Sequence, residues 1–225
     1  EQVEILERKV QSRQDPGGRA DLLRRIAHVQ EVELGRPDVA LQTWKSLLGY
    51  DESDRGALDS LERLYRATAQ WIELVWVYQR KVEFATQPGE VRDLRAAVAH
   101  VYVEQIADAF EAIGAYKSLL EVAPDDAEAL RELDRLCESE QLSGDLLEVL
   151  EAEARIATGA DDKDAFETRA ARLLLGALED PHRAIGKLAS ILERTPTHAE
   201  ARAALEDLSR RDDTRQAASV VLDPV

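Results

Sequence analysis

Along this chain, apolar residues recur at helical spacing and nowhere alternate at period two. In 90–106 they fall on Val91, Leu94, Val98, Val101, Tyr102 and Ile106, and in 71–86 on Trp71, Leu74, Val75, Tyr78, Val82 and Ala85. Each set forms one stripe at a period of about 3.6 residues, the pattern of a helix buried on one face. Turn chemistry interrupts the stripes at Asp15-Pro16-Gly17-Gly18, Gly35-Arg36-Pro37, Gln87-Pro88-Gly89, Ala123-Pro124-Asp125-Asp126, Asp180-Pro181 and Thr195-Pro196. The spacing predicts helices over 1–13, 19–34, 37–50, 54–68, 71–86, 90–106, 109–122, 126–140, 143–158, 162–178, 181–194, 198–210 and 215–222, with no strand.

The pattern also repeats at longer range. Shifted by 72 residues, the segments 40–64, 112–136 and 184–208 align without a gap: Ala40, Ala112 and Ala184 coincide, then Ser46, Ser118 and Ser190, then Leu48, Leu120 and Leu192, then Leu61, Leu133 and Leu205. A fixed period of this kind marks stacked supersecondary units. The chain therefore reads as one array over 1–225, with blocks 1–72, 73–144 and 145–216 and the start of a further repeat at 217–225. Each block holds four helices, or two hairpins.

Ala112, Tyr116, Leu119 and Pro124, and equally Ala184, Leu188, Ile191 and Pro196, resemble the second helix and terminal proline of a tetratricopeptide repeat. Ala99 and Ala171 match the small residue of its first helix. The alternate hairpins, such as 126–158, depart from that pattern: they lack the closing proline and carry Asp134 where the family prefers a small residue. The expected fold is an all-α, right-handed α-solenoid of antiparallel helix hairpins, in which each hairpin buries its stripe against its neighbours. The resemblance implies that the first helices of the hairpins line a concave groove for a peptide or a partner's surface, and it implies no catalysis.

Equivalent positions share an environment, so a position that stays apolar reads as core and one that changes character is where function can sit. Trp44, Tyr116 and Leu188 are equivalent and all large, which reads as core. Trp76 is different, because its equivalents are Glu4 and Glu148 and it lies off the apolar face of its own helix. It is either a contact hot spot or a shield over a local crevice near Phe84. His28, His100 and Arg172 are equivalent, each one residue after the small Ala27, Ala99 and Ala171, and by the resemblance they face the groove. Asp21 and Asp93 lie one helical face up, and Glu31, Val103 and Leu175 a turn below. Either successive copies line one wall with groups that titrate near neutral pH, or these are solvated polar residues on a scaffold.

No catalytic constellation emerges, and an enzyme is not expected. Pro16-Gly17-Gly18 lacks the following Gly-Lys-Ser/Thr of a phosphate loop, and His100 and Glu104 lack a second pair of metal-ligand spacing. Cys137 follows Leu136 in an apolar helix and reads as a buried thiol. No cofactor or metal is expected.

Composition narrows the partner. The 225 residues carry 29 Lys+Arg against 45 Asp+Glu, a net charge of −16, which disfavours a phosphate backbone and hence nucleic acid. No run approaches the ~20 apolar residues that cross a bilayer, so direct membrane insertion is not expected. Residues 1–72, 73–144 and 145–225 carry −2, −8 and −6, so the acidic middle block either steers a basic partner or serves solubility. Six Lys against 23 Arg, with many Ala, fits a GC-rich, bacterial genome, and a cytoplasmic location is slightly favoured. The expected function is a non-catalytic scaffold for a protein or peptide. Two alternatives are a regulatory or substrate-receptor segment of a larger enzyme, and an array that self-associates through its terminal helices. The stripe Val3, Leu6 and Val10, with nothing before it to cover it, and the partial repeat at the other end predict a native protein that continues past both termini.

Overall fold

A computed structural model of the chain describes residues 2–222, and among these no strand forms. The helices are α1 (Gln2–Ser12), α2 (Pro16–His28), α3 (Pro37–Leu48), α4 (Arg55–Ala67), α5 (Trp71–Phe84), α6 (Pro88–Val101), α7 (Ala109–Val122), α8 (Ala127–Ser139), α9 (Ser143–Ile156), α10 (Ala160–Leu175), α11 (Pro181–Arg194), α12 (Ala199–Ser209) and α13 (Arg215–Leu222). Every helix read from the apolar stripes is present. The main difference is at the start of α2, α6 and α10, which open two to three residues earlier than expected. Pro16 and Pro88 supply the first turns of α2 and α6. Proline fits there because its fixed φ is helical and its missing N–H has no partner in that turn. α2 and α6 each continue into one π-helical turn, Val29–Glu33 and Tyr102–Ile106.

The ends of these helices obey the 72-residue period. Gly35, Ala107 and Glu179 all have left-handed backbones, with φ of 60°, 59° and 50°. Just beyond them the N–H groups of Arg36, Asp108 and Asp180 donate six residues back, to the carbonyls of Gln30, Tyr102 and Leu174, at 2.8, 3.1 and 2.8 Å. This helix end resembles a Schellman motif with its closing bond lengthened by one residue, and it is repeated in each block. Asp54, Asp126 and His198 are equivalent too, and all three cap a helix: Asp54 accepts from the Ala57 N–H at 2.7 Å, Asp126 from Ala129 at 3.1 Å, and His198 Nδ1 from Ala201 at 3.2 Å. An N-cap oxygen or ring nitrogen satisfies one of the donors that the first turn leaves orphaned.

The chain divides into two compact units, 1–115 and 116–225, with the division inside α7. In the first unit consecutive helices pack as neighbours, and Ala27, Ala40, Leu47, Ala57, Leu58, Leu61, Tyr65, Leu74 and Val77 form its centre. Leu6 of α1 is buried and α1 packs on α2, so that apolar stripe is covered from the α2 side. In the second unit, Ala171, Ile185, Leu188, Ile191, Ala201, Leu205 and Leu208 form one cluster across α10, α11 and α12. The small positions Ala27, Ala99 and Ala171 are fully covered, and so are the large ones Trp44, Tyr116 and Leu188. Small against large at a fixed register lets neighbouring helices interdigitate, and each buried leucine contributes about 1.5–3 kcal/mol. No described helix is long and apolar enough to cross a membrane.

Candidate functional site

The residues singled out in the sequence occupy two different sets of helices. His28, His100 and Arg172 lie in the last turns of the first helices α2, α6 and α10. His28 and Arg172 are exposed and His100 is half-buried. Several neighbours on these helices are engaged in helix-to-helix pairing. Arg24 holds exposed Asp21 at 2.8 Å and reaches buried Asp54, the N-cap of α4, through Nε at 3.2 Å. Glu31 pairs with Arg63 of α4 and accepts a hydrogen bond from Trp44 Nε1 at 3.3 Å. Arg172 donates to Glu200 of α12 at 2.6 Å, and Asp93 accepts from Arg92 at 2.9 Å. Much of the charge on this wall therefore ties one first helix to the next.

Trp76 lies on a second helix, α5, and is 39% exposed. It lines a cleft of about 510 Å³ bounded by the end of α3, by Tyr65 of α4 and by the first half of α5, together with Lys45, Leu48, Glu52, Glu73 and Arg80. Two cations are laid on aromatic rings here: the Arg80 guanidinium is 5.9 Å from the Trp76 ring centre, and Lys45 Nζ is 5.4 Å from that of Tyr65. Such contacts hold ring and cation in place while leaving ring surface open.

The same cleft recurs one block later, within the second unit. There α7, α8 and α9 enclose about 430 Å³ lined by Lys117, Leu120, Pro124, Leu133, Asp145 and Glu148. Another block on, α11, α12 and α13 enclose about 550 Å³ lined by Leu192, Pro196, Arg202, Val220, Val221 and Leu222. Leu48, Leu120 and Leu192 are equivalent floor positions, and Trp76, Glu148 and Val220 are equivalent wall positions. One architectural cleft thus appears three times, with an aromatic, an acidic and an aliphatic wall. Sequence reading found Trp76 but not the cleft around it, whose lining comes from three separate segments. The available signal was the leucine at 48, 120 and 192 beside a variable residue 28 positions on.

Cys137 is fully buried, and burial pushes its thiol up to about 11, out of nucleophile range. Among the described residues no group of three or more His, Cys, Asp or Glu is arranged to hold a metal ion.

No family model matches this sequence, and no curated protein aligns with it. Solved structures do. The structure of Naa15/Naa10 bound to HypK-THB aligns over 91% of this chain and 34% of that one, at 16% identity and a TM-score of 0.51. YrrB, described as a tetratricopeptide-repeat protein with an unusual peptide-binding site, aligns over 91% of this chain and 99% of its own at 16% identity, with a TM-score of 0.40. A tetratricopeptide repeat protein from Parabacteroides merdae aligns over 98% and 91% at 12% identity, with a TM-score of 0.39. In fold, the chain is an all-α repeat of helical hairpins similar to the tetratricopeptide-repeat proteins.

Proposed function

We propose that this chain is a non-catalytic interaction scaffold that holds a protein or peptide partner, and that the partner engages the clefts beside the second helices. The observation that carries this reading is the recurrence of one open cleft in three blocks with a changed wall residue at 76, 148 and 220. A packing-only position has no reason to vary from Trp to Glu to Val while its leucine floor stays fixed. Aromatic anchors in partly open apolar clefts are where contact energy concentrates. The fold supports the reading, since stacked hairpins present extended surfaces rather than closed active sites. The structure of similar fold at a TM-score of 0.51, Naa15/Naa10, is bound to HypK-THB.

A second reading places the partner on the first-helix wall, at His28 and Asp21, His100 and Asp93, and Arg172. The exposure of His28, Asp21, Asp93 and Arg172 favours it. In both readings the acidic middle block, at −8, draws a basic partner and raises its rate of arrival. A peptide-display selection on the immobilised full chain tests the proposal. Enriched peptides should bind Trp76→Ala at least tenfold more weakly while the thermal midpoint stays within about 2 °C, a stability change of no more than about 0.5–1 kcal/mol. Enriched peptides that lose affinity on His100→Ala and not on Trp76→Ala move the site to the first-helix wall. A selection that enriches nothing contradicts the scaffold itself.

A further inference from the structure

The 72-residue register exposes a charge exchange at one interhelical position. In the first unit Lys81 of α5 pairs with Asp59 and Glu62 of α4. One block later the equivalents of Lys81, Asp59 and Glu62 are Glu153 of α9 and Arg131 and Asp134 of α8, so a half-buried base has become a buried acid. Ala97 has in turn become Arg169 of α10. Arg169 takes Asp134 with both arms, Nη1 to Oδ2 at 2.6 Å and Nη2 to Oδ1 at 2.8 Å, and reaches Glu138 at 3.4 Å.

Glu153 is 7% exposed, and its Oε2 has no hydrogen-bond partner. The Asp134 carboxylate of α8, which packs against α9, raises the cost of ionising Glu153. Two neighbouring carboxyl groups in a dry site cannot both be ionised at low cost, and a shared proton turns their repulsion into an O–H···O⁻ bond. Other charges around α9 include Arg131 and Glu138 on α8, the Arg135–Glu132 pair of α8 at 2.9 Å, Glu148 and Arg155 of α9 itself, Lys117 of α7 on Asp145 at 2.6 Å, and Arg183 and Lys187 of α11 on Glu151 at 3.4 and 2.8 Å. Arg131 and Arg169 offset the Glu153 charge, and Arg169 is already committed to Asp134.

We propose that Glu153, Asp134 and Arg169 form a proton-operated lock between α8, α9 and α10, closed when Glu153 carries its proton and loosened when it does not. Burial first, and then the Asp134 carboxylate, push Glu153 up to about 7 from an ordinary value of 4.5. The unfolded chain therefore loses this proton at lower pH than the folded one. The stabilisation is complete below about pH 4.5, drains away as pH rises, and is gone above about 7. The other face of α9, at Asp145 and Glu148, lines the middle cleft, so the lock sits behind a candidate contact surface.

Amide exchange on the full chain between pH 5 and 8.5, corrected for intrinsic rates, tests this. Protection of α8–α10 should fall severalfold across neutral pH in the wild type and stay flat in Glu153→Gln, whose amide mimics the protonated acid. Asp134→Asn should move the midpoint to lower pH, and Arg169→Ala should move it to higher pH. These are shifts that a merely structural role would not produce. Identical pH profiles for wild type and Glu153→Gln, or a midpoint unmoved by Asp134→Asn, would overturn the lock. Neither outcome bears on where a partner docks, which the Trp76 comparison tests separately.

Discussion

Gly35, Ala107 and Glu179 show what a repeat demands of single residues. All three close a first helix in the left-handed region, yet only the first block uses the residue that reaches it without strain. An L-residue there costs about 1–2 kcal/mol, against about 0.5–1 kcal/mol of chain entropy for glycine. Ala107→Gly and Glu179→Gly should therefore each raise unfolding free energy by about 0.5–1 kcal/mol, and Gly35→Ala should lower it by about as much. Denaturant titration of the full chain checks all three, and a loss of stability in both glycine variants contradicts the strain. The sequence announced Gly35 as a turn but gave no sign at Ala107 or Glu179, because neither residue type favours the conformation. Only the 72-residue register carries the inference from the first block to the others. The caps were more legible, since Asp54 and Asp126 are ordinary cap residues, whereas His198 is not.

At the scale of elements, apolar stripes were enough to find every helix, because a hairpin that must bury one face writes that face into its spacing. How helices are fastened was not legible. The third block fastens α10 to α11 with a buried ionic contact: Asp164, 3% exposed, accepts from Arg194 Nε at 2.9 Å and from Thr195 Oγ1 at 2.6 Å, and Glu167 also pairs with Arg194. The first block has Ala20, Leu23 and Tyr50 at the equivalents of Asp164, Glu167 and Arg194. A charge reads as surface until its buried partner, here some 30 residues away, is known. Removing Arg194 strands the Asp164 charge, so Arg194→Ala should cost about 3–5 kcal/mol. Leu133→Ala, in an apolar site, should cost about 2–5 kcal/mol through transfer and cavity terms. Burial raises the Asp164 carboxyl, but Thr195 and Arg194 outweigh it and hold the group below its ordinary 3.8. The Asp164 contribution is thus fully present above that value and lost as pH falls below it, so acid should weaken α10–α11 where it strengthens the Glu153 contact. Residue-level exchange at pH 3 and pH 6 separates the two.

For the whole molecule, the account rests on periodicity. The same turn, cap and cleft recur block by block in two compact units, while the cleft wall and the buried charges change. Invariant parts build the fold, and variable parts are available for recognition. Net charge of −16 adds a long-range attraction, so association with a basic partner should slow several-fold as salt rises from 50 to 300 mM, the range over which the screening length shortens. The most direct measurement is an exchange footprint of the full chain with and without a peptide selected on it. The account predicts slowed exchange at the end of α3 and the start of α5, with the footprint lost in Trp76→Ala. Protection confined to α2, α6 or α10, or a footprint that survives Trp76→Ala unchanged, would contradict it.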